Sequence, residues 1–131
     1  MNTSLTPEQI HHIRLALLAR RKALLDEVTE ELASLDHPRY ADVAQEVHDR
    51  GDEAVADVLS EINLGVKDLH INEIIEIEAT IDRIERREFG TCVACGDAIE
   101  SQRLLAFPTA KRCLECQRRY EASRQQKIAK L

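Results

Sequence analysis

Two short stretches, Cys92-Val93-Ala94-Cys95-Gly96 and Cys113-Leu114-Glu115-Cys116, decide how this chain is read. They contain all four cysteines of the 131 residues, and 17 residues (96–112) separate them. That spacing fits a four-thiolate zinc site. A gap of two residues lets both sulfurs of one turn face a single ion at about 2.3 Å, and Gly96 allows the tight turn. Cys92, Cys95, Cys113 and Cys116 are therefore the expected ligands of one zinc ion. A site filled by four thiolates leaves no position for water or substrate, which makes it structural rather than catalytic.

The composition agrees with a small metal-tied module on a slender helical body. Charged residues make up 32% of the chain, and the only aromatic residues are Tyr40, Phe89, Phe107 and Tyr120. A large globular core is not expected from such a sequence. Residues 1–9 carry no apolar run or basic leader, and no stretch approaches a membrane span, so a cytoplasmic protein without membrane contact is expected. In a reducing compartment the cysteine pairs favour metal over disulfides, with a redox switch as the other use. Charge is uneven: residues 111–131 sum to +5, and residues 1–110 carry −11 of the total −6. A mostly acidic body argues against duplex DNA as the main partner, because phosphate binding needs a broad basic face.

The remaining pattern is helical. Thr6, Pro7 and Gln9 form a capping box with proline at the first helical position, and Leu5 and Ile10 form a hydrophobic staple. Ile10, Ile13, Leu17, Leu24, Val28, Leu32 and Leu35 continue as one stripe that Arg20 interrupts, and Pro38 stops the helix near Asp36. A second run from about Asp52 to Arg87 carries Val55, Val58, Leu59, Ile62, Val66, Leu69, Ile74, Ile77, Ile81 and Ile84, with Gly65 as a weak point. Ala41–Val47 suggests a short helix between them, broken by Gly51, and Phe89-Gly90 closes the second helix. The prediction is a mainly α protein: a long antiparallel coiled-coil hairpin over residues 1–88 with its tip at about 37–54. Residues 89–131 follow as a C4 zinc-finger module with a basic final helix carrying Tyr120 and Ile128. The five histidines read as surface or seam residues. Glu73, Glu76 and Glu78 read as a solvated helical face, and Asp52 as the N-cap of the second helix. The basic final helix reads as a solvated face offsetting the acidic body, or as a surface for an acidic partner.

Together, the hairpin, the segment Asp49-Arg50-Gly51-Asp52-Glu53-Ala54 and the C-x2-C-x17-C-x2-C root resemble the DksA/TraR family of RNA polymerase-binding regulators. Phe89-Gly90-Thr91 before the first pair, Arg103-Leu104 in the loop and Pro108-Thr109-Ala110 before the second agree, as does the distance from Asp52 to Cys92. The resemblance implies a non-enzymatic transcription regulator of the stringent-response type. Such a protein enters the secondary channel of bacterial RNA polymerase and modulates initiation without sequence-specific DNA binding, and a monomer is expected. Asp49, Asp52 and Ala54 would be the polymerase-binding tip. Family members that respond to guanosine tetraphosphate (ppGpp) help bind it with basic residues on the second helix and around the zinc module. Alignment from the cysteines puts Glu76, Phe107 and Gln117 at three of those positions, so weak or absent ppGpp dependence is implied. The alternatives are a Gre-like transcript-cleavage factor, whose tip carboxylates would hold a metal, and a zinc module binding nucleic acid or protein.

Overall fold

The computed structural model describes residues 3–62 and 69–129. Among the described residues six helices follow one another: α1 Pro7–Ser34, α2 Pro38–Arg50, α3 Ala56–Ser60, α4 Leu69–Glu85, α5 Ser101–Ala106 and α6 Leu114–Ala129. No strand longer than the single bridge Thr91–Ala98 occurs among the described residues, and no helix there is long and apolar enough to cross a membrane. By contact the chain divides into two compact units, Met1–Ile13 with Asp82–Leu131, and Arg14–Ile81. The sequence pattern had drawn its line at residue 88.

α1 begins as its capping residues predict. The Thr6 N–H donates to Gln9 Oε1 at 2.9 Å, and the Gln9 N–H donates to Thr6 Oγ1 at 3.1 Å. Leu5 and Ile10 are both buried, closing the staple. The apolar stripe then buries Ile13, Leu17, Leu24, Val28 and Leu32 at helical spacing. The stripe is not interrupted at Arg20, which faces solvent; Arg21 occupies the seam instead and is only 7% exposed. Leu35 lies beyond the end of α1 and is exposed.

Within the unit Arg14–Ile81, α1 and α4 run antiparallel, as successive pairs along them show. His70 Nδ1 stands 3.6 Å from carboxylate oxygens of Glu27 and Glu31, Arg20 pairs with Glu73 at 2.6 Å, and Arg21 pairs with Glu78 at 2.8 Å. α4 buries Ile71, Ile74, Ile77 and Thr80 on this unit's side of its seam. Leu69, expected in that seam, is exposed. Gly65 and Val66 lie outside the described residues, as do the side chains of Lys127, Ile128 and Lys130.

The second long helix is not continuous from Asp52. Thr-like capping is supplied to α2 by His37, whose Nδ1 accepts the Arg39 N–H at 3.1 Å, with Pro38 at the first helical position. α2 runs for 13 residues and stops at Gly51, whose φ of +60° favours glycine. Residues 51–55 are not helical, α3 lasts five residues, and α4 is described from Leu69. A 13-residue helix advances about 20 Å, the same rise that separates Arg21 from Ser34 on α1. α2 therefore returns along α1, and the Arg21 guanidinium meets the Glu53 carbonyl at 2.7 Å. The segment 49–54 lies beside the middle of α1, whereas the sequence pattern placed it at the far end of a hairpin.

Leu24 is fully buried in this seam. Leu24→Ala is expected to cost about 2–5 kcal/mol. Urea titration followed by circular dichroism should show a lower midpoint with an unchanged slope.

Candidate metal centre and acidic segment

α4 ends at Glu85, four residues before Phe89, and Arg87 takes a left-handed φ of +61°. Phe89, not part of the helix, plugs a small core with Ile99 and Leu104; Phe89 and Leu104 have no exposed surface. Gly90 turns the chain at φ +89°, and a Cβ there would lie 2.6 Å from the Thr3 Cβ, so only glycine fits. The first cysteine turn is tied by the Cys92 N–H to the Asp97 carbonyl at 2.8 Å and the Gly96 N–H to the Cys92 carbonyl at 2.9 Å. Gly96 adopts φ +80° in open space, so its backbone angle and not crowding calls for glycine.

The second pair occupies the start of α6. The Gln117 N–H donates to the Cys113 carbonyl at 2.9 Å, and the Cys116 N–H points at the Cys113 sulfur at 3.5 Å. Two cross-links bring the turns together. The Val93 N–H donates to the Lys111 carbonyl at 2.9 Å, and Arg103 Nε donates to the Arg112 carbonyl at 3.0 Å. The Glu100 carboxylate accepts the Leu114 N–H at 3.2 Å, a negative group at the positive end of α6. The Arg112 guanidinium stacks 4.0 Å from the Tyr120 ring centre.

All four sulfurs lie within 4.8 Å of one another, and no histidine or carboxylate joins the group. Four bonds of 2.3 Å to one tetrahedral ion would place sulfurs about 3.8 Å apart, so the donor set fits zinc with little contraction. Burial pushes the Cys92 thiol up, but N–H groups of Cys113, Cys95 and Ala94 aimed at its sulfur outweigh this and bring it down to about 6. The Cys113 sulfur, followed by burial, pushes Cys116 up to about 12. Cys95 is lowered by the Asp97 N–H yet raised overall by the neighbouring sulfurs, Cys92 first. Without a cation, thiolates this close repel one another; the ion makes all four stable together.

The acidic segment is exposed at Asp49, Asp52, Glu53 and Ala54. Asp49, in the last turn of α2, accepts from Gln45 Nε2 at 2.8 Å. Asp52 does not cap a helix. The N-cap of α3 is Val55, without a side-chain bond of its own, and Glu78 of α4 takes the capping role. One Glu78 oxygen accepts the Ala56 N–H at 2.9 Å, and both lie 3.0 Å from the Val55 N–H. Glu78 is thus no solvated acid: its side chain and that of Arg21 are each 8% exposed. On the outer side, Arg50 donates to the Ala54 carbonyl and to Asp57 at 2.9 Å each, and to Glu46 at 3.0 Å. The Arg50 bond holds the Asp57 carboxyl below its ordinary range.

Arg21 and Glu78 were missed by reading periodicity. Arg21 falls four residues from both Leu17 and Leu25 and three from Leu24, so the stripe marked its position as inward-facing. Glu76, Phe107 and Gln117 do not come together as a cationic site. Glu76 is half-buried on α4, Phe107 is 63% exposed after α5, and Gln117 of α6 donates to Glu121 at 3.2 Å.

A closed four-thiolate centre on a mainly helical chain defines a structural zinc-finger protein. The sequence model of the prokaryotic dksA/traR C4-type zinc finger matches residues 87–122. The RNA polymerase-binding transcription factor DksA of Escherichia coli strain K12 is 33% identical over 108 residues, covering 82% of this chain and 68% of that protein. The protein of the same description from Haemophilus influenzae is 30% identical over 109 residues, covering 83% and 72%. The chain belongs to the DksA/TraR family, and its metal is one zinc ion.

Zinc uptake must expel the Cys116 proton at any pH below about 12, while Cys92 has a proton to lose only below about 6. Acid therefore weakens binding. Competition with a chromogenic chelator should show apparent affinity falling about tenfold or more per pH unit below neutrality. Cys92→Ser should abolish stoichiometric zinc.

Proposed function

We propose that this chain binds bacterial RNA polymerase through its secondary channel and modulates initiation at susceptible promoters, without reading DNA sequence and without chemistry of its own. The observation that carries the reading is its likeness, over four-fifths of its length, to proteins described as RNA polymerase-binding transcription factors. The closed metal centre supports a non-enzymatic role, since zinc with four thiolates has no vacancy for a substrate. The net charge of −11 carried by residues 1–110 supports a protein partner over free DNA. The same family evidence favours a regulator over a transcript-cleavage factor or a general nucleic-acid-binding finger. Working as a monomer in the cytoplasm is part of this proposal.

Asp49, Asp52 and Ala54 form the acting surface in this reading. Their exposure on a braced turn supports it: charge is presented outward while the backbone beneath is bound on both sides. Asp52 acts through its charge and Ala54 through close packing. The zinc module anchors its half of the chain and does not meet the reacting centre of the polymerase.

ppGpp synergy is weak or absent at the family's shared site. An acid at Glu76 repels phosphate, and neither the Phe107 ring nor the Gln117 amide replaces a cation. The length of the hairpin domain, residues 1–88, and of the module, 89–131, belongs to this same proposal.

Asp49→Asn/Asp52→Asn should retain polymerase affinity within about thirtyfold, because exposed charges each contribute about 1 kcal/mol or less. The effect on open-complex lifetime should be largely lost. A pull-down combined with a transcription assay measures both; no polymerase binding by the unaltered protein contradicts the proposal. Adding ppGpp should leave the protein's effect on open-complex lifetime unchanged. A large nucleotide-dependent enhancement requiring this chain would overturn that part.

A further inference from the structure

The backbone leaving the acidic segment is held by side chains rather than by a helix or sheet ladder. Four consecutive groups are bound this way: the Glu53 carbonyl by Arg21, the Ala54 carbonyl by Arg50, and the Val55 and Ala56 N–H groups by Glu78. Three of the four are held by one buried ion pair, whose partners come from the middle of α1 and from α4. Val55, Val58 and Leu59 sink into the core directly after it, so the outward face of 49–54 is set against a fixed floor.

A buried ion pair is a poor device for stability alone. Removing two charges from water costs several kcal/mol per ion, and a packed apolar pair often does as well or better. What leucine or methionine cannot do is accept two backbone N–H groups and donate to a carbonyl. The chemistry retained at Arg21 and Glu78 is therefore the chemistry that orients residues 53–56. Arg50 differs, being partly exposed and bonded to exposed acids, and gives a weaker outer brace.

We infer that Arg21 and Glu78 are positioning residues for the acidic segment: they fix the geometry in which Asp49, Asp52 and Ala54 meet the polymerase. This rests on the functional reading above. Neither residue touches the partner; both act through the backbone they hold.

The test is the full-length zinc-loaded Arg21→Met/Glu78→Leu double variant, which keeps the seam apolar and removes the backbone bonds. It should stay folded, with an unfolding midpoint lowered only modestly by the three freed backbone groups, and it should still bind polymerase. Exchange of the Val55 and Ala56 amides, followed by NMR, should accelerate roughly tenfold or more. The effect on open-complex lifetime should fall as it does in Asp49→Asn/Asp52→Asn. A purely structural role predicts regulation preserved by a stable double variant, and that result would overturn the inference, as would unchanged amide exchange. Should the double variant fail to fold, Glu78→Gln keeps the shape and one accepting oxygen. It should give intermediate exchange and partial loss of regulation; full regulation with unchanged exchange would overturn the inference. Failure of the functional reading is separately visible, because Asp49→Asn/Asp52→Asn would then regulate like the unaltered protein while the exchange measurement, made without polymerase, still decides whether the pair fixes the segment.

Discussion

The buried contact between Arg21 and Glu78 is the constraint that sets where residues 53–56 lie within the unit Arg14–Ile81. An arginine placed among Leu17, Leu24 and Val28 must find an anion, and only Glu78 of the antiparallel helix supplies one among the described residues. Once paired, each partner still has bonding capacity, and both spend it on the backbone of residues 53–56. The consequence is topological. α2 must return along α1, and the acidic segment lies beside mid-helix with its carboxylates outward.

The zinc centre works by a different physics in the other unit. Apart from α6, whose first turn carries the second pair, its elements are short: two turns, one bridge and a six-residue helix. Phe89, Ile99 and Leu104 make a core too small to hold such a module unaided. Four sulfurs gathered within 4.8 Å supply the remainder, because their mutual repulsion is cancelled only by a bound cation. Closure of the ligand set then excludes the metal from any reaction. In this family member the metal is an anchor, and the surface proposed to act lies on the unit that has none.

Much of the molecule was legible in the sequence because local chemistry decided it. The capping box at Thr6–Gln9, the staple Leu5–Ile10 and the two cysteine turns each depend on residues a few positions apart, and each forms as read. The errors fall where distant groups decide. Asp52 has every local credential for an N-cap, yet Glu78, more than 20 residues away, takes that role for a helix that starts at Ala56. Arg20 and Arg21 are indistinguishable as charges, and only the partner helix determines which turns inward. Leu35 and Leu69 fit an apolar period but lie just past the end of α1 and at the start of α4, where they are exposed. Periodicity reports which face is apolar; it does not report where the facing surface stops.

The proposed function turns the exposed segment 49–54, and not the metal centre, toward the interior of RNA polymerase. The most direct measurement places a photo-cross-linking residue at Glu53, whose side chain is exposed and whose backbone carries the structural bonds. With zinc-loaded protein bound to polymerase, cross-links are expected to the elements lining the secondary channel. Cross-links confined to promoter DNA or to the outer surface of the enzyme would contradict the account.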